Sequence, residues 1–125
     1  MKLVIYGAQG IALGAYEAMK SLYPSRQAEC FLVSSRGINA SVVCDLPVWE
    51  IKEYAAKLSQ KEKDDTEVLI AAPENVQPEI EETLEDYGFH YYRKLTSGRW
   101  SELMKLFHAK MGRFLTLDAL PVGCH

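Results

Sequence analysis

Apolar runs and helical spacings alternate along this chain. Leu3, Val4, Ile5 and Tyr6 follow one another until Gly7 stops them. A short unbroken apolar run suits a strand covered on both faces, so a strand is expected over residues 2–6. Residues 11–22 then carry Leu13, Tyr16, Ala18 and Met19 on a helical pattern. That helix ends at Tyr23, which precedes Pro24 and is pushed out of the helical region. A second strand is expected over 29–34, through Cys30, Phe31, Leu32 and Val33, and a turn at Arg36-Gly37-Ile38-Asn39. Residues 42–44 and 46–49 read as two very short extended pieces, which Pro47 limits to a sheet edge. Ile51, Tyr54, Ala55 and Leu58 fall at i, i+3, i+4 and i+7, the inner stripe of a helix over 50–58.

The second half repeats the alternation. Residues 59–67, SQKEKDDTE, hold six charged side chains and read as a solvated loop. Residues 68–72 are another apolar strand, stopped by Pro73-Glu74-Asn75. A helix starts near Gln77-Pro78, where proline suits the first turn. Glu79, Glu81 and Glu82 complement its positive end, and Gly88 suits the position after its last turn. A last strand is expected over 89–92. Ser97 is the expected cap of a helix over 98–111, with Trp100, Leu103, Met104, Phe107 and Met111 turned inward. Alternation of this kind implies an α/β fold, a parallel sheet with helices on both faces. Right-handed crossovers then give a Rossmann-like order with the first strand central. Residues 1–113 make this domain. Residues 114–125 lose periodicity and read as an exit segment toward a further domain.

Composition narrows the function. The chain has 125 residues, 48% hydrophobic and 25% charged, with a net charge of −3. That is an ordinary globular balance without a basic footprint, so no nucleic-acid partner is expected. Cys30, Cys44 and Cys124 are an odd number at wide spacing, with no Cys/His metal pattern. No apolar stretch reaches the roughly 20 residues of a membrane span, and a cytoplasmic location is expected.

The candidate chemistry lies after the first strand. Gly7, Gly10 and Gly14 form G-x-x-G-x-x-x-G at a strand-to-helix junction, around Ala8, Gln9 and Ile11. Glycines there let backbone amides approach a phosphate, and the helix start adds partial positive charge. The spacing departs from the dinucleotide G-x-G-x-x-G, and the glycines can equally serve close packing of helix on strand. The second strand ends in Ser34, Ser35 and Arg36, without the acid that binds an unphosphorylated ribose. Arg36 suits a phosphate or simple solvation. The crevice where strand order reverses sets the glycine turn opposite Ala72, Pro73, Glu74 and Asn75. Asn75 either meets a ligand or caps the next helix. His90 and His108 have no evident acid or nucleophile partner in the sequence, and no catalytic residue is assigned. Tyr91-Tyr92-Arg93-Lys94 lacks a Tyr-x-x-x-Lys spacing, Tyr6-Gly7 stand where a receiver domain carries acids, and Gly10-Ile11-Ala12 stand where a P-loop carries its Lys and Ser/Thr.

The stretches KLVIYGAQGIALGAYEAMKSLYP, VLIAAPENVQPEIEETLEDYGF and LPVGCH resemble the N-terminal Rossmann-like region of bacterial proteins regarded as glycosyltransferases of capsular and exopolysaccharide synthesis. A more distant likeness is to the N-terminal domain of sugar O-acyltransferases, which binds nucleotide-sugar after a GxGG-type turn. The resemblance implies a non-catalytic module for a nucleotide or nucleotide-sugar joined to a downstream glycosyltransferase domain, while the missing acid after the second strand makes NADP the expected dinucleotide if one binds. Two other readings stay open: an NAD(P)-dependent oxidoreductase domain, and a degenerate Rossmann domain used for assembly, homo-oligomers included.

Overall fold

The computed structural model describes residues 1–8, 10–35 and 42–111. In chain order the elements are β1 Lys2–Tyr6, α1 Gly10–Leu22, β2 Ala28–Val33, β3 Val42–Val43 and β4 Leu46–Glu50. There follow α2 Ile51–Ala56, α3 Gln60–Asp64, β5 Thr66–Ile70, a 3-10 turn at Glu74–Val76, α4 Gln77–Asp86, β6 Tyr92–Lys94 and α5 Ser97–Met111. The sheet order is β3-β4-β2-β1-β5-β6. Every pairing is parallel except β3 with β4. The architecture is α/β and Rossmann-like.

Both faces of the central strands are apolar because both are covered. Val4, Tyr6, Cys30, Leu32, Val68 and Ile70 meet Ile51, Tyr54 and Leu84 of α2 and α4 on one side. Leu3, Ile5, Phe31 and Val33 meet Ala12 and Ala15 of α1 on the other, with Trp100 and Leu103 of α5 packed against them. Successive strand residues point to opposite faces, which is why an unbroken apolar run was needed. On α5, Trp100, Leu103, Met104 and Phe107 form a half-buried stripe. Among the described residues no helix is long and apolar enough to cross a membrane.

Several expected elements move. Residues 59–67 are not a loop. Ser59 caps α3 with a capping box: its hydroxyl accepts from the Glu62 amide at 3.2 Å and its amide donates to the Glu62 carboxylate at 3.0 Å. That hydrogen bonding holds the Glu62 carboxyl below its ordinary range. The last strand lies at Tyr92–Lys94 rather than 89–92. Gly88, at φ +88°, ends α4 in a Schellman motif, with Phe89 N bonded to Leu84 O and Gly88 N to Glu85 O. Phe89 is thus the apolar plug of a helix end and is fully buried. The cap of α5 is Thr96, whose hydroxyl accepts from Arg99 N, not Ser97. Pro47 pairs with Val42 and stands one strand in from the edge, which the two-residue β3 forms. That hairpin turns through Cys44 and Asp45, both left-handed at φ 52° and 66°. The expected turn at 36–39 and the segment 114–125 lie outside the described residues.

Candidate functional site

Strand order reverses at β1: the chain goes to β2 on one side and returns through β5 on the other. The helices that follow β1 and β5 therefore diverge and leave a crevice at the strands' carboxyl ends. A cleft of about 440 Å³ lies there, lined by Gly7, Ala8, Gly10 and Ile11 after β1, Ser34 and Ser35 after β2, and Ala72 and Pro73 after β5. Tyr6 and Ile80 complete its wall on the α4 side. The structure thus gathers eight of the residues singled out from the sequence.

The glycines divide by role. Gly7 has φ +127°, and a Cβ there would stand 2.6 Å from the Ala71 carbonyl oxygen. Its N–H donates to Leu32 O at 2.7 Å, so the turn begins while the chain is still bonded to β2. Close packing demands this glycine. Gly14 faces away from the cleft: a Cβ there would stand 2.5 Å from Trp100 Cη2, so it admits α5 against α1. Gly10 differs from both. It opens α1, carries no positive φ in the left-handed range, and among the described residues a Cβ there would meet nothing within 4 Å beyond its own helix and chain neighbours.

Glu74 and Asn75 do not line the cleft. The Glu74 carboxylate accepts from Ser97 N at the start of α5, and that bond lowers its pKa. Asn75 lies inside the 3-10 turn, and the N-cap of α4 is Val76, which makes no side-chain cap hydrogen bond. Gln9 and Arg36 lie outside the described residues. The expectation that His90 lacks an acid partner is overturned: its Nδ1 lies 2.8 Å from Glu85 Oε2, and Tyr92 donates to the other oxygen of Glu85 at 3.0 Å. Glu85 and His90 are exposed and Tyr92 is half-buried against the core, and none of the three lines the cleft. Sequence spacing hid them because Glu85 ends a helix while His90 follows its cap.

Two residues of the cleft region escaped the sequence reading. Gln77 is buried and donates its amide to Ala72 O and Leu95 O, both at 2.9 Å. It thereby fixes the chain after β5, one edge of the cleft. Tyr6 is 4% exposed, and its hydroxyl, covered from water, makes no hydrogen bond of good geometry among the described residues. Burial pushes its pKa up. The nearby Ser34 side chain acts against that rise but makes no hydrogen bond of good geometry, and Tyr87 adds to it.

The cleft's described lining contains no charged side chain. An anion there would be met by backbone amides at the start of α1. Among the described residues no group of three His, Cys, Asp or Glu could hold a metal ion. A larger groove of about 890 Å³ runs between α5 and the β6 edge. Its Arg93 and Lys94 are paired with Glu67 and Glu81, and it lies away from the strand-order reversal.

No family model matches the chain. No curated protein matches it either. Among solved structures, the crystal structure of RSP, a Rex-family repressor, is similar with a TM-score of 0.56 and 8% sequence identity. The match covers 90% of this chain and 60% of that one, so this chain spans under two-thirds of its neighbour's length. The likeness is one of fold.

Proposed function

We infer that this chain is a binding module for a small nucleotide, with a nucleotide-sugar preferred to NADP and NADP to NAD. The observation that carries the reading is Gly10: the first residue of a 13-residue helix, at the strand-order reversal, with open space where a side chain would be. A phosphate placed there meets the free amides of the helix's first turn. No acid follows β2 at Ser34 or Ser35, which argues against selection of an unphosphorylated ribose. The resemblance to the leading region of polysaccharide glycosyltransferases supports a nucleotide-sugar as ligand and a downstream transferase domain as partner. No described residue of the cleft offers a nucleophile–base pair, so catalysis is assigned to that partner domain and an oxidoreductase role is disfavoured. The expectation of no nucleic-acid partner rests on charge, and the shared fold of a repressor weakens it.

Titration calorimetry with UDP-glucose, GDP-mannose, NADP⁺ and NAD⁺ tests the reading. Binding of a nucleotide-sugar tighter than NADP⁺ is expected. Tight, selective NAD⁺ binding contradicts the ligand order, and heat from none of the four ends the nucleotide reading.

A further inference from the structure

The cleft crosses the carboxyl edge of the sheet. Gly7, Gly10 and Ile11 stand on its α1 side, and Tyr6, Ser34 and Ile80 on its α4 side. Tyr6 and Gly7 are consecutive at the end of β1, so they leave the strand toward opposite faces. A ligand whose phosphate rests on α1 therefore extends over β1 toward Tyr6. There it comes to the covered Tyr6 hydroxyl, beside the Ser34 side chain, which makes no hydrogen bond of good geometry among the described residues. Buried polar groups are almost always hydrogen-bonded, and an exception calls for a partner that arrives from elsewhere.

We propose that Tyr6 is the specificity-determining residue of the cleft and that its hydroxyl, with Ser34 at the rim, receives a sugar hydroxyl of the bound nucleotide. This rests on the nucleotide reading above. The arriving group is neutral, because a charge moved to that end would find no counter-charge among the described lining residues. It is a sugar rather than a base. Tyr6 is the one aromatic residue in the described lining, and its ring is packed in the core, so nothing there stacks on a base. A hydroxyl both donates and accepts, which suits two facing hydroxyls that fail to bond each other. Ser34 is exposed, and rotation of its short side chain opens the way to Tyr6.

The test is Tyr6→Phe in the full chain, by calorimetry with UDP-glucose, UDP and NADP⁺, beside circular dichroism and thermal melting. The variant removes one unsatisfied hydroxyl and nothing else. It is expected to melt no lower than the parent and to bind about 5- to 10-fold more weakly. Equal weakening of UDP and UDP-glucose places the contact on the ribose. Weakening of UDP-glucose alone places it on the appended sugar. Unchanged affinity for all three, with the parent binding, overturns the role of Tyr6 and leaves the nucleotide reading standing. A variant that melts several degrees lower also overturns it, since the hydroxyl is then satisfied within the protein. A parent that binds none of the three removes both inferences.

Discussion

Replacing Gly10 separates ligand space from packing. The backbone at position 10 is not left-handed, and among the described residues an added Cβ meets nothing within 4 Å outside its own helix and chain neighbours. Alanine there also removes glycine's conformational freedom at the first position of α1. An interior Gly→Ala change in a helix is worth about 0.5–1 kcal/mol, and a first-turn position lies at the low end, about 0.5 kcal/mol. Unfolding entropy scales as roughly 2.1 cal/mol/K per residue, or about 0.26 kcal/mol/K for a chain of this length. Gly10→Ala is therefore expected to raise the melting temperature of the free protein by about 2 °C. Gly10→Val, whose branched side chain costs about as much as alanine gains, leaves it unchanged within a degree or so. If the phosphate rests at Gly10 as proposed, both side chains take its space, so the thermal shift given by saturating nucleotide should shrink in the alanine variant and vanish in the valine variant. Differential scanning fluorimetry with and without UDP-glucose reads both quantities. A full ligand shift in a folded Gly10→Val protein refutes the phosphate cradle. A large loss of stability in the free variants would instead show that Gly10 serves packing.

Other positions give contrasting results. Gly7→Ala combines positive φ with a Cβ 2.6 Å from a backbone oxygen, and a loss of about 3 kcal/mol is expected in urea denaturation. Gly14→Ala should destabilise the parent yet stabilise a Trp100→Leu background, with a coupling of about 1–2 kcal/mol in the double-mutant cycle, because the indole occupies the added methyl's place. Gln77→Leu strips one buried and one half-buried carbonyl of this donor and should cost about 2–3 kcal/mol, with the ligand shift weakened as the chain at Ala72 loosens. Burial pushes the Cys30 thiol up to about 12, so it is neutral in the folded protein while the unfolded chain ionises near its ordinary value of 9.0. Its contribution is complete below pH 9 and is lost as pH rises from there toward 12, so the urea midpoint should fall across that window in the parent and less steeply in Cys30→Ala.

Much of the fold was legible because the strongest signals in the chain are local. Unbroken apolar runs at β1, β2 and β5 state that both sheet faces are covered, and the i, i+3, i+4 stripes on the helices say by what. The errors fell where one residue type answers to two devices. Phe89 reads as the start of a strand because it is large and apolar. Its burial comes instead from the helix end that Gly88 closes, which shifts β6 three residues onward. Ser59 and Glu62 are a capping box in plain spacing, yet the density of charge around them reads as solvent-facing loop. Charge says only that a segment is wet, and a capped one-turn helix is as wet as a loop.

The cleft was legible for a different reason. A parallel sheet puts its reversal at a fixed place, and Gly7 punctuates the chain just there. What sequence alone does not supply is the division of labour among glycines at one junction. All three fit the same pattern, yet Gly7 answers to the Ala71 carbonyl, Gly14 to Trp100, and Gly10 to no residue described outside its own helix. Those partners come from β5 and α5, far off in sequence. Tyr6 is hidden for the same reason. As the last residue of an apolar run it reads as core, and its ring is core. Only the packed fold shows that Tyr6 borders the cleft and that its covered hydroxyl makes no good hydrogen bond among the described residues. A phenylalanine would complete the hydrophobic run at that position without leaving a buried oxygen unpaired. Under the proposal above, a tyrosine there serves what the cleft would bind rather than the core that surrounds its ring.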